Sequence, residues 1–277
     1  GKCGKLGRRG KGTAADKQAI ASKPDEAGAN YNVGRAYGSR GQPADGVDAF
    51  KKAIAIKPDY AEAYLGMGVT YGNSGQLDDG VAAFKKAIAI KPDYADAYYC
   101  TGVIYGRLGR YADAITAYKK AIDIESDYAD AHCGMGVAHS KLGRHSDGLA
   151  ACKKAIAIEP DFFQAYINMG VIYNNLEQYS DALIACKKAL SLKPDHSEAY
   201  ITMGVAYAGL QQYMLAVTPY NKAIAIDSAH ADANCHMDVA YAALKQYAEA
   251  ITAYKQANAI ESGYCYAYDN MRVDHSA

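Results

Sequence analysis

Seven cysteines and seven histidines hold most of the reactive chemistry in this 277-residue chain. His132 and His139 lie two helical turns apart, and both stand where neighbouring stretches carry Tyr, so they read as aromatic core residues rather than as metal ligands. Cys152 and Cys186 occupy equivalent places in consecutive stretches. That makes them small buried apolar residues and not a redox pair. Cys133 and Cys235-His236 are about three such stretches apart, too far to share one ion. The seven thiols are odd in number, with neither zinc-like nor haem-like spacing. No phosphate-cradling Gly loop, Ser-His-Asp set or paired catalytic carboxylates can be placed. The chain is read as non-catalytic, with no cofactor and no metal site.

The elements that hold these side chains repeat. Ala61–Tyr94, AEAYLGMGVTYGNSGQLDDGVAAFKKAIAIKPDY, returns at a fixed interval, starting at Ala27, Ala61, Ala95, Ala129, Phe163, Ser197 and Ala231. Counting from each start, position 4 is mostly Tyr or His (Tyr64, Tyr98, His132, Tyr166, Tyr200) and position 8 is Gly in six copies, Gly34 to Gly204. Position 11 is Tyr or His, from Tyr37 to Tyr241. Position 24 is Phe50, Phe84, Tyr118, Cys152, Cys186, Tyr220 and Tyr254, and position 27 is always Ala. Positions 4, 7, 8 and 11 share one helical face, and positions 20, 24, 27 and 28 share another, so each unit predicts two helices, A and B. Small residues at 8 and 20 let the two backbones approach, and aromatics at 4, 11 and 24 fill the space around that contact. Pro at 32 closes helix B.

Helix ends are predicted as well. Asp59…Glu62, Asp93…Asp96, Asp127…Asp130 and Asp195…Glu198 have the spacing of a capping box. Gly41, Gly75, Gly109 and Gly143, at position 15, suit a left-handed residue that ends helix A. Acids at position 19 and Lys pairs at 25 and 26 suit the dipole of helix B, and the Lys pairs read as a solvated outer face.

The unit with aromatic 4, Gly 8, Tyr 11, small 20, aromatic 24, Ala 27 and Pro 32 resembles the tetratricopeptide repeat family over residues 27–264. The resemblance implies an all-α, right-handed α-solenoid superhelix of stacked helix pairs. It also implies a role in protein–protein interaction or scaffolding, with helix A lining a concave groove. On that resemblance the groove residues are Tyr31, Leu65, Tyr99, Ile167 and Ile201 at position 5, and Arg35, Val69, Val103, Val137, Val171 and Val205 at position 9. Cys133 and Cys235 share position 5, and acids at position 2 form one rim. The family's carboxylate clamp needs Lys, Asn and Arg where six copies here carry Val, and no asparagine ladder forms. Two readings of these Val residues stay open: packing between neighbouring A helices, or facing an apolar ligand.

The register extends to both sides. Residues 1–26 form a Gly/Lys/Arg arm whose Thr13–Ser22 reads as a helix B, and 265–277 reads as a helix A. The expected partner is protein. In the leading reading it is another copy of this chain, joined head to tail into a filament through Cys3, Leu6, Asp16, Ile20, Cys265, Tyr266, Tyr268, Met271 and Arg272. Arg272, at position 8, could pair with Asp238 at position 8 one unit earlier, or with Asp16 of the next molecule. The alternatives are a monomeric adaptor with an apolar groove, or a fragment of a longer array. Thirty basic and thirty acidic residues balance to zero, which disfavours nucleic acid or an anionic membrane surface as partner. No apolar run is long enough for membrane insertion.

Overall fold

The computed structural model describes residues 26–228 and 231–260. Among them, helices follow in seven pairs: α1 (Ala27–Ser39) and α2 (Pro43–Ile56), α3 (Ala61–Asn73) and α4 (Leu77–Ile90), α5 (Ala95–Arg107) and α6 (Tyr111–Ile124), α7 (Ala129–Lys141) and α8 (His145–Ile158), α9 (Phe163–Asn175) and α10 (Tyr179–Leu192), α11 (Ser197–Gly209) and α12 (Tyr213–Ile226), α13 (Ala231–Ala243) and α14 (Tyr247–Ile260). The helices fall into two compact units, α1–α7 and α8–α14. Within each unit an A helix packs chiefly on the B helix that follows it, then on the preceding B helix and on the neighbouring A helix. The fold is all-α helix-pair stacking of the tetratricopeptide kind.

The pair is closed by missing volume. A Cβ placed on Gly80 of α4 would lie 3.1 Å from the Gly68 carbonyl oxygen of α3, and one on Gly68 would meet the Phe84 ring at 2.5 Å. The position-24 ring is the wedge. Phe50 is 1% exposed and sits against both Gly34 of its own pair and Gly66 of the next A helix. Tyr118 does the same between Gly102 and Gly134. In α10 the ring is replaced by Cys186, and the residue equivalent to Gly66 becomes Thr202, whose methyl reaches into the space beside Gly170. The larger residue at position 6 thus takes up part of the space that the missing ring leaves. The invariant position-27 alanines, Ala53, Ala87, Ala121, Ala155, Ala189, Ala223 and Ala257, are at most 1% exposed.

The left-handed helix ends are present. Gly41, Gly75, Gly109 and Gly143 have φ between +72° and +84°. The later units keep this conformation without glycine, at Glu177, Gln211 and Lys245, each with φ near +60°. The first-turn acids Asp45, Asp79, Asp113, Asp147 and Asp181 also fall where the sequence places them.

The capping boxes do not form. The N-caps are Tyr60, Tyr94, Tyr128 and His196, one residue after the expected acids, and none makes a side-chain cap bond. The physical reason is the turn. The Tyr60 N–H donates to the Lys57 carbonyl and the Ala61 N–H to the Asp59 carbonyl, so Asp59 sits inside a tight turn and not at the helix mouth. Cation–ring contacts brace these turns, with Lys57 Nζ 4.9 Å from the Tyr60 ring centre and Lys91 Nζ 4.8 Å from that of Tyr94.

Pro219 lies inside α12, where every other unit has Ala. It cannot donate to the Leu215 carbonyl, and its ring crowds that group. Replacing Pro219 with Ala is expected to stabilise the chain by up to about 3 kcal/mol, read as a rise in urea midpoint. Gln211→Gly relieves a left-handed side chain and is expected to add about 1 kcal/mol, with Gly109→Ala shifting the midpoint the opposite way by a similar amount.

Candidate protein-binding face

The side chains expected to line a groove divide by position. At position 5, Leu65, Tyr99, Ile167 and Ile201 are buried, as is Cys133, while Tyr31 is half-buried. Apart from Tyr31, these residues are largely enclosed by neighbouring helices. At position 9 exposure varies: Val69 is buried, Val103, Val205 and Arg35 are half-buried, and Val137 and Val171 are each 37% exposed. The expected end-to-end residues Cys3, Leu6, Asp16, Ile20, Cys265, Tyr266, Tyr268, Met271 and Arg272 lie outside the described residues.

Four of the expected groove residues converge. Tyr31, Arg35, Leu65 and Val69 line one cavity of 320 Å³ on the A-helix face of the first unit, together with Gly38, Phe50, Glu62, Gly66, Thr70, Asn73 and Tyr94. The walls come from α1 and α3, the Phe50 ring from α2, and Tyr94 from the turn before α5. Phe50, Leu65 and Val69 supply apolar surface, and Arg35, Glu62, Asn73 and the phenols supply polar groups. Such a mixture suits an apolar anchor whose backbone is held at the rim.

Charge inside the cavity is balanced. The Arg35 guanidinium lies 5.7 Å from the Tyr31 ring centre and hydrogen-bonds the Tyr31 hydroxyl. Burial raises the Tyr31 phenol, with Arg35 opposing and Glu62 adding to the rise. Burial also lifts the Tyr94 phenol far above its ordinary value, reinforced by the Glu62 carboxylate. Both phenols therefore remain donors at neutral pH.

Tyr94 is a functional candidate that sequence reasoning misses. The signal is present: position 34 is Tyr at Tyr60, Tyr94 and Tyr128, at the junction between units. The third of these shows what such a ring can do. Tyr128 is fully buried and its hydroxyl donates to Asp96 Oδ1 of the preceding A helix. Burial first, and that hydrogen bond second, hold its phenol far above the usual range. Other links also join neighbouring A helices: Arg107 Nη1 to the Gly72 carbonyl, Asn174 Nδ2 to the Thr202 carbonyl at 2.9 Å, and Gln164 Nε2 to Glu198 at 3.4 Å. Rim acids at position 2 thus serve in part to tie the stack together.

The remaining chemical candidates sit in the packing. His132 and His139 are buried, and His132 Nε2 lies 3.4 Å from the Ser126 carbonyl. Cys152 and Cys186 are fully buried free thiols, which burial pushes up to about 12. Among the described residues no cluster of three or more His, Cys, Asp or Glu could hold a metal ion. No helix among them is long and apolar enough to cross a membrane.

These features define an α-helical repeat protein built from stacked helix pairs. Family models described as TPR repeat match residues 34–75, 73–109 and 104–143, and the tetratricopeptide repeat model matches 129–162 and 163–196. The chain belongs to the tetratricopeptide repeat family, whose members are in general non-catalytic scaffolds for protein–protein interaction. Among solved structures it is similar to a chain of the APC/C hetero-tetramer Cut9–Hcn1, at 18% identity and a TM-score of 0.76 over 94% of this chain and 51% of that one. The chain thus spans about half the length of that relative. It is also similar to MamA, at 29% identity and a TM-score of 0.53 over 58% of this chain and 95% of that one. A third similar structure, YrrB, is described as a TPR protein with an unusual peptide-binding site; it has 24% identity and a TM-score of 0.51, over 68% of this chain and 96% of that one. A search of curated proteins finds no match.

Tyr128→Phe removes the donor to Asp96 while keeping the ring, and Phe162 already fills the equivalent place one unit on. The substitution is expected to cost about 1–2 kcal/mol, measured as a lowered guanidinium midpoint.

Proposed function

We propose that the chain is a non-catalytic scaffold that binds a partner protein segment on the A-helix face of its first units, with an aromatic or branched apolar side chain of the partner seated in the cavity between α1 and α3. The observation that carries this reading is the convergence of Tyr31, Arg35, Leu65 and Val69 on one 320 Å³ space, with polar groups at its rim. Arg35 does not favour a free carboxylate, because Glu62 lines the same cavity and Val occupies position 9 in the next units. The peptide-binding site named for YrrB is a property of that protein, and only the shared fold bears on this chain.

Peptides selected from a random display library on the wild-type chain are expected to share one apolar anchor. Tyr94→Ala and Asn73→Ala are expected to weaken the selected peptides about tenfold, roughly 1.4 kcal/mol, in fluorescence anisotropy. Equal binding by both variants would move the site elsewhere.

Self-assembly is the finer reading of the partner. Residues 13–22 keep the register of a helix B, and 265–273 that of a helix A, so two chains meeting head to tail would complete one unit between them. Sedimentation velocity at rising concentration tests it. Large species that vanish when 265–277 is removed support the assembly, and a single small species at every concentration rejects it.

A further inference from the structure

The cavity between α1 and α3 is long, and its two charges hold different places in it. Along α3 its wall runs from Glu62 in the first turn to Asn73 at the last residue, about 16 Å at the rise of an α-helix. Glu62 holds position 2 of its unit and Arg35 holds position 9 of the unit before, a difference of about two helical turns. Leu65 and Val69 follow Glu62 on the same wall.

The two charges also differ in how far they are committed. Arg35 hydrogen-bonds the Tyr31 hydroxyl and lies 5.7 Å from the centre of its ring. Among the described residues the Glu62 carboxylate forms neither an ion pair nor a hydrogen bond, and Lys57 and Lys91, which lie over the Tyr60 and Tyr94 rings, are not paired with it. The next junction shows the contrast. There Asp96, at position 2 of α5, accepts from the buried Tyr128 and is held inside the stack. Tyr94 stands at the same spacing from Glu62. It is half-buried, the equivalent bond is not made, and both residues line the cavity instead.

This end of the cavity is negative and aromatic. The carboxylates that act on the Tyr94 hydroxyl are Glu62 first and Asp96 after it. Glu62 acts on the Tyr31 and Tyr60 hydroxyls as well, and those two rings lie 5.2 Å apart. A carboxylate set among ring faces and phenol oxygens suits an ammonium or guanidinium group.

We infer that the segment bound in this cavity carries a lysine or arginine beside its apolar anchor, and that Glu62 receives the cation next to Tyr94. The assignment rests on the binding site proposed above and adds the partner's charge to it. The partner is then a basic, apolar segment. Arg35 repels a cation at its own end, so the basic residue stands on one side of the anchor only.

Parallel selections from a random display library test this, on the full chain as wild type, Glu62→Gln and Glu62→Lys. Wild-type peptides are expected to carry Lys or Arg beside the anchor, on a single side. Glu62→Gln is expected to keep the anchor and lose the basic preference, and Glu62→Lys to exchange it for Asp or Glu. A labelled wild-type peptide should bind Glu62→Gln about fivefold more weakly, the size of a partly exposed ion pair, and added salt should narrow that difference. The proposal is overturned if wild-type peptides share an anchor without a basic neighbour, or if the basic neighbour persists on Glu62→Gln; in both cases the anchor site itself stands. Peptides with no shared anchor, or binding that Tyr94→Ala leaves unchanged, overturn the site and the assignment of its cation together.

Discussion

Everything in this fold follows from how closely two helices can approach when neither presents a side chain at the crossing. Gly68 and Gly80 bring backbone atoms of α3 and α4 within a distance at which one added methyl group would meet a carbonyl oxygen. Dispersion falls off steeply with separation, so this closeness lets the Phe84 ring and Ala87 touch atoms on every side. Each pair still has one uncovered face, and the next pair covers it. The ring at position 24 takes part in both contacts, since Phe50 rests on Gly34 within its pair and on Gly66 beyond it. A single side chain thereby couples pair formation to stacking, consistent with a repeat array whose stability is a sum of unit and neighbour terms.

Neighbouring A helices are joined by a second, sparser set of contacts, and these are polar. Tyr128 to Asp96, Arg107 to the Gly72 carbonyl and Asn174 to the Thr202 carbonyl each span about one period. They sit near the face that remains for a partner. The cavity beside Arg35 and Tyr94 lies among such groups, at a place where position 9 is Arg instead of Val. In the proposed binding mode, recognition and stacking draw on the same rows of residues. A rim acid that binds a neighbouring tyrosine is not available as free charge, which leaves apolar surface as the main resource of this face.

Departures from the repeat mark where the array differs along its length. Glu177, Gln211 and Lys245 adopt a conformation that glycine holds in the earlier units, and Pro219 interrupts a helix that is otherwise uniform. All of these lie in the second unit, as does Asp238. Each carries a local cost that the surrounding packing tolerates. The second unit thus carries backbone departures from the shared pattern that the first does not.

Among the described residues, the sequence by itself determined the order of the helices and their pairing within each unit, because a fixed period with glycine at 8 and alanine at 27 admits one helical register. It also determined the left-handed ends at Gly41, Gly75, Gly109 and Gly143, since glycine alone takes that conformation without strain. It could not determine the caps: whether Asp59 or Tyr60 begins α3 depends on a turn hydrogen bond from Tyr60 to Lys57, a matter of geometry and not of residue type. Nor could it say that Leu65, Tyr99, Ile167 and Ile201 at position 5 are buried while Val137 and Val171 stay open, or that Tyr94 from one junction would close a cavity built by α1 and α3. Periodicity reports which face of a helix is apolar, but the depth at which each residue of that face lies is decided only when the neighbouring helices are in place.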